Sequence, residues 1–449
     1  MASAAEQLAS NFSLKAFSKA DNLKKRLWFT LFALIVYRVG TFLPLPGVDA
    51  AVMNEIATSN SSGILGIFDK FTGGALGRMT IFALGVMPYI SASIIIQLMT
   101  AVSPHLEAIK KEGESGRKKL NQYTRYLTVA LATVQSWGIL TGLVSMPGTP
   151  VTNPNVLFMV SGIVSLTGGT LFLMWLGEQI TSRGVGNGIS LIIFAGIVAN
   201  LPSAIKKTLE LGYTRVISPF FIAVILFLLL AAIVFIVFME RAQRRVHIQY
   251  PKRQVGMKMT GGESSHLPMK LNISGVIPPI FAGSLLGVPI TIAQFAGQAD
   301  EGGILSTILL YMGQGKPLYV TTYIALIVFF AFFYTAVVFN PTETAENLKK
   351  SGAIVPGYRP GKNTAEHLDF IVTRLTVVGA AYLAAICVLP EILITKYSIP
   401  FYLGGTSLLI VVSVGIDTIT QVQTHLLAHQ YEGLIRRSKG LKKNKKKDR

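Results

Sequence analysis

The stretch YLTVALATVQSWGILTGLVSMPGTPVTNPNVLFMVSGIVSLTGGTLFLMWLG, residues 126–177, contains no Asp, Glu, Lys or Arg. A helix needs about 20 apolar residues to cross the hydrocarbon core of a bilayer. This run is too long for one crossing and long enough for two. Pro147, Pro150 and Pro154 fall near its middle, and proline breaks a helix interior by removing a backbone donor. The run therefore reads as two membrane helices joined by a turn. Its apolar residues are continuous rather than alternating, which argues against a β-barrel.

Uncharged stretches recur outward from it, at 79–106, 184–205, 216–239, 271–299, 317–342 and 397–416. The chain is 51% hydrophobic and only 14% charged, which excludes an ordinary soluble protein of this length. Ten spans are expected, at 27–45, 77–101, 122–143, 155–177, 187–206, 217–239, 272–293, 318–339, 370–392 and 400–424. The fold class is an all-α polytopic membrane protein. The N-terminus, every even-numbered connection and the C-terminus then share one side. That side carries the whole net charge of +19, and the opposite side is neutral. Lysine and arginine mark the cytosolic side, so both termini are expected there. A wrong span count would scramble this separation.

The charged segments have distinct characters. Residues 1–26 form a basic amphipathic N-terminal segment. The connections 240–270 and 340–369 mix Arg and Lys with Pro, Gly and aromatic residues, as binding loops do; a hairpin is expected over 246–260. The tail 425–449 ends in a dense basic block not expected to pack. On the opposite side, Ile64, Leu65, Ile67, Phe68 and Phe71 line one helical face of about two turns. That is too short to cross, so it reads as a re-entrant or surface helix. The spans divide into 27–210 and 211–424. An odd number of helices per half turns the second half over, the arithmetic of an inverted repeat.

Chemistry is sparse. No phosphate loop or HExxH is present, and the run Arg183–Gly188 opens a membrane helix without a preceding strand, unlike a nucleotide loop. His425 and His429 lack a completing ligand set, so no metal is expected. Away from the span ends, only Arg38 and Asp417 are charged groups inside spans, at different depths. That gives weak support to a secondary transporter, the alternative from another class. Pro88, Pro278 and Pro279 are expected to kink their helices.

The strings PYISASIIIQL (88–98), KKEGESGRKKLNQYTRY (110–126), MWLGEQITSRGVGNGIS (174–190), ERAQRRV (240–246), HLPMKLN (266–272), FYTAVVFNPTETAENLKKSGA (333–353), PGYRP (356–360) and PFYLGGTSLLIVV (400–412) strongly resemble the bacterial SecY family. The resemblance runs in order from about residue 22 to 435. It implies a protein-conducting channel of the bacterial plasma (inner) membrane, not an enzyme, with no cofactor. It implies ten helices in two inverted five-helix halves around a central hourglass pore. The aliphatic pore ring would be Val86, Ile90, Ile189, Ile193, Ile280 and Ile410. The plug would be residues 63–73, with Ile64, Leu65, Ile67, Phe68 and Phe71. A lateral gate would bring Ser91 against Ser284–Val288. Docking of the SecA ATPase or the ribosome would use Arg244, Arg245, Lys252, Arg253, Lys349, Lys350 and above all Arg359. Further implied partners are the SecE and SecG subunits of a heterotrimer, preproteins with signal sequences, and membrane lipids. An aliphatic waist disfavours hydrated ions and offers a passing chain no polar group to hold it. Ile189 and Ile193 lie near the expected start of span five, so that span is expected to begin earlier, within the glycine-rich run.

Overall fold

The computed structural model describes residues 21–49, 52–53, 72–145, 151, 153–213, 219–250, 253–255, 258–260, 264–295, 316–397 and 404–445. The first half holds α1 (Asp21–Gly40), α2 (Met87–Val102), α3 (Pro104–Lys111), α4 (Glu114–Ser145), α5 (Val156–Arg183) and α6 (Gly188–Tyr213). The second holds α7 (Pro219–Arg241), four strands, α8 (Ile277–Phe295), α9 (Pro317–Val338), α10 (Pro341–Lys350), α11 (Lys362–Tyr397) and α12 (Gly405–Lys445). Among the described residues, 7 helices are long and apolar enough to cross a membrane, or 8 if the pair α2 and α3 counts as one span. Helix α3 turns 99° away from α2. Lys111 binds Glu107 at 2.8 Å on its surface, and that bond holds the Glu107 carboxyl below the usual carboxylate range. A helix so charged lies outside the apolar layer, so α2 is the crossing segment. Helices α1 and α8 occupy the expected first and seventh spans without meeting the same length and hydropathy.

The helices pack in a regular order. Helix α2 lies against α4, α4 against α5, α5 against α6, and α1 against α5 and α6. In the second half α8 lies against α9, α9 against α11, α11 against α12, and α7 against α12. The halves meet where α2 contacts α8 and α6 contacts α12. Large apolar side chains on the outside, such as Phe220, Phe227, Leu230, Val234 and Phe238 of α7, are exposed. Lipid tails are as apolar as these side chains, so no polar exterior is needed.

Three expectations are corrected. The expected kinks at Pro88, Pro278 and Pro279 are instead helix starts. Pro88 sits in the first turn of α2, and Pro278 and Pro279 in that of α8. There the missing N–H has no intrahelical partner to lose. The second span is accordingly not helical from residue 77. Residues 72–86 form turns packed into the protein, with Ala75, Met79 and Phe82 buried. Irregular backbone in a membrane protein must be satisfied by protein. Here Leu45 N–H donates to Met79 O at 2.9 Å, Ile81 N–H to Leu43 O at 3.1 Å, and Thr80 N–H to Ala75 O at 3.0 Å. Lastly, the basic tail continues α12 as helix to Lys445. Once a helix is nucleated, each further residue adds a bond at little cost, and Lys and Arg are good helix formers.

The start of α6 resolves the depth of Ile189 differently from expectation. The helix begins at Gly188 and not earlier. Gly188 is pressed onto the Gly177 carbonyl of α5, where a Cβ would overlap it. Gly177 lies six residues before the end of α5, about 9 Å at 1.5 Å per residue. The turn 184–187 therefore folds back between the helices and starts α6 below the end of α5. Replacing Gly188 with Val should overpack this contact and destabilise the chain by about 1–3 kcal/mol or more. Gly188→Ala should be milder. Thermal unfolding of the purified variants checks the order.

Candidate functional site

The six aliphatic positions singled out in the sequence fall in the same large apolar core. Val86, Ile90, Ile193 and Ile410 are buried members of one apolar cluster, and Ile189 and Ile280 pack against it. Val86 caps α2 and accepts its first helical bond, from Ile90 N–H at 3.1 Å. Residues i and i+4 share a helix face, so both side chains enter the cluster together. Ile189 rests on the bare face of Gly177 in α5, and Ile193 follows one turn on. Helices α8 and α12 deliver Ile280 and Ile410. Four elements distant in sequence thus contribute aliphatic side chains to one core.

Within this core, α2 and α8 form a seam. Ser284, buried in α8, approaches Met87 Sδ at 4.0 Å. The contact is made one turn ahead of Ser91, which is partly exposed. The side chain of Val288 lies outside the described residues. Behind the seam, Phe281 meets Phe330 and Tyr334 of α9 edge-on, with centroids 5.7 and 6.4 Å apart. The plug positions Ile64, Leu65, Ile67, Phe68 and Phe71 also lie outside the described residues.

The segment that follows them is anchored by charge. Gly73 and Gly74 both adopt positive φ, 69° and 84°, which glycine alone adopts freely. The Gly73 carbonyl accepts from Arg38 Nη1 at 2.8 Å and Arg78 Nη2 at 3.4 Å. Tyr37 OH donates to Thr72 O at 3.2 Å. Phe42 lies between the two guanidinium groups, 4.8 Å from Arg38 and 4.3 Å from Arg78, a cation–π arrangement. Asp417 is exposed on α12. Arg38 is therefore a structural donor at a backbone joint and has no acidic relay partner in Asp417.

At the basic end, the two loops are one body. Strand β1 (Gln243–Gln249) pairs antiparallel with β4 (Ser264–Lys270), and β2 (Arg253–Val255) with β3 (Lys258–Thr260). The hairpin is longer than the expected 246–260. Gln249 and Ile354 exchange backbone bonds of 2.9 and 2.8 Å, tying it to the second loop. Val246, Met269, Val355, Leu368 and Ile371 share a small core beneath. Asn272 Nδ2 donates to Glu240 Oε1 at 2.8 Å and closes the base of the hairpin. Arg244 and Arg245 are exposed on β1, and Lys349 and Lys350 end α10. Arg359 is exposed at a tip shaped by Gly357 (φ 89°) and held by Thr364 Oγ1 donating to Arg359 O at 2.9 Å. Arg253 opens β2, and Lys252 lies outside the described residues. The anchors Gly177, Arg78 and Asn272 went unnoticed in the sequence. A glycine inside an apolar helix and a lone Asn after HLPMK were their only marks.

A multi-span helical membrane protein with one apolar core shared by its helices and a folded basic hairpin is the class these features define. The SecY family model matches residues 80–419. The chain is 52% identical over 435 residues to the protein translocase subunit SecY of Rickettsia typhi, covering 96% of this chain and 99% of that one. It is 54% identical over 418 residues to the same subunit of Escherichia coli K12, covering 93% and 94%. Its fold is similar to a solved protein-conducting channel, with TM-score 0.65 and 19% identity, covering 90% and 92%. It is also similar to Sec61 in a canine ribosome-channel complex, with TM-score 0.61. The chain belongs to the SecY family, and it is a protein translocase subunit with a channel function, not an enzyme.

Substituting Arg38 with Met should remove the shorter of the two donors to Gly73 O. Losing a charge-assisted bond costs about 1–3 kcal/mol. Amide exchange at Gly73 and Gly74 should then rise at least tenfold, read by hydrogen exchange with mass spectrometry, while exchange in α9 stays unchanged.

Proposed function

We propose that six aliphatic side chains form a waist, the constriction of a channel through which unfolded preproteins cross the bacterial plasma membrane. The observation that supports this is the place of Val86, Ile90, Ile189, Ile193, Ile280 and Ile410 in one apolar cluster. A narrow aliphatic ring seals by excluding water from its throat. It presents no donor or acceptor to the backbone of a passing chain. Energy must come from partners.

The architecture in this proposal is ten helices in two inverted halves, 27–210 and 211–424. The order of helix neighbours supports it. The contacts α2–α4, α4–α5, α5–α6 and α1–α6 recur as α8–α9, α9–α11, α11–α12 and α7–α12. Where the halves meet, α2 faces α8 and α6 faces α12. Each is the pairing of a helix with its counterpart that a twofold requires. The α2–α8 seam is then the lateral gate, with Ser91 and Ser284–Val288 along it, through which apolar segments leave for the lipid. Residues 63–73 are the plug, and the Arg38–Gly73–Arg78 anchor is the joint on which it hangs.

The basic body faces the cytosol, where both termini lie. It receives SecA or the ribosome through Arg244, Arg245, Lys252, Arg253, Lys349, Lys350 and Arg359. One structural relative is Sec61 in a ribosome complex, and guanidinium groups suit RNA phosphate. SecE and SecG complete the heterotrimer.

Ile90→Asn and Ile280→Asn should each raise ion leak through reconstituted channels several-fold and let preproteins with weakened signal sequences pass. Unchanged leak and export in both variants would remove the waist from the conducting path. Arg359→Glu should lower SecA-driven export at least tenfold with normal membrane insertion of the chain itself. Normal export by that variant would displace Arg359 from the docking role.

A further inference from the structure

The outer face of the β1–β4 hairpin carries a pair of imidazoles that the channel reading does not use. His247 and His266 are directly opposite in the strand register. Val246 and Ile248, their neighbours on β1, turn into the protein and are buried. Strand alternation therefore places His247 on the outer face. His247 Nδ1 lies 3.4 Å from His266 Nε2. The ring centres are 5.1 Å apart and the planes inclined at 58°.

These two lengths can be set against those of a shared proton and of a shared metal. In a straight N–H···N bond the ring centres would lie about 5.7 Å apart, the 3.4 Å separation plus roughly 1.15 Å within each ring. Two imidazoles on one tetrahedral ion, at about 2.05 Å each, place their nitrogens about 3.35 Å apart and their centres about 5.2 Å apart. An octahedral ion would draw the nitrogens to about 3.0 Å. The observed 3.4 and 5.1 Å match the tetrahedral pair.

We propose that His247 and His266 form a bidentate site for a divalent tetrahedral metal ion of the zinc class, with water in the remaining positions. The second shell agrees. Gln249, next on the same face, lies 3.3 Å from the free nitrogen of His247, Nε2. Without metal, the Gln249 amide donates to Nε2, and His247 Nδ1–H points to His266. On binding, the His247 proton moves from Nδ1 to Nε2, and the Gln249 amide turns so that its oxygen accepts it. No proton is gained or lost when both rings start neutral. Metal-bound histidines commonly donate their second N–H in this way. Arg245 shares this face, so two neutral ligands beside a cation make an exchangeable site and not a permanent one. The ion would staple β1 to β4 across the hairpin, in the body that carries Arg244 and Arg245.

The test is zinc titration of the purified full chain in detergent, with a competing zinc indicator, for wild type, His247→Ala, His266→Ala and a control, His105→Ala. Cobalt(II) spectra on the same samples report geometry. One equivalent is expected in wild type and control, weakened at least tenfold in both hairpin variants, with an intense tetrahedral cobalt band that the variants lose. A change in helical circular dichroism would expose misfolding. In that event Gln249→Ala, which removes only the second shell, should weaken binding three- to tenfold. Equal zinc affinity in all chains overturns the site, as does loss of the equivalent in the His105 control alone.

Discussion

A backbone that leaves helical geometry inside a bilayer has no water to satisfy it, so every such amide must find protein. Among the described residues the chain leaves helix at 72–86 and at 184–187, and each break leads into residues of the central apolar cluster. Residues 72–86 bond to the strand-like segment 43–45 and deliver Val86 at the mouth of α2. The turn 184–187 is pinned by Val185 N–H on Thr30 Oγ1 at 3.1 Å and Gly186 N–H on Gln421 Oε1 at 2.8 Å. It brings α6 back onto Gly177. Val86 and Ile189 are therefore positioned by polar bonds outside the cluster. Its own side chains need only be of suitable size.

This division explains what was legible in the sequence. The apolar runs showed themselves because lipid accepts only long uncharged helices, and the charge count grouped the two basic loops that pack together. The six ring positions came from motif resemblance, not from spacing. Ile189 in particular looked too near a helix end. The missing fact was the backward fold of the turn, which depends on Gly188 meeting Gly177. A glycine in an apolar helix has many uses, and nothing local says that another glycine faces it. The prolines misled for a related reason. Proline signals a broken ladder, and only the surrounding chain tells whether the break is a kink or a beginning.

The basic loops were legible in composition and not in arrangement. Orientation requires a few cations near the helix ends. It does not require a pair of strands, a shared core of Val246, Val355 and Leu368, or a backbone bridge from Gln249 to Ile354. Such a body holds its arginines in fixed relation to the helices beneath. Asn272, bonded to Glu240 at the end of α7 and to Gly275 O before α8, ties the hairpin to both. A force applied to the loops thus reaches α8, which forms one side of the seam with α2.

The two ends of the molecule use arginine differently, and the difference follows from solvent. At the loops, Arg244, Arg245 and Arg359 stand in water, available to a partner. At the Gly73 joint, Arg38 and Arg78 spend their donors on one carbonyl and their faces on Phe42. Arginine thus satisfies a backbone group at one end of the molecule and stays exposed at the other.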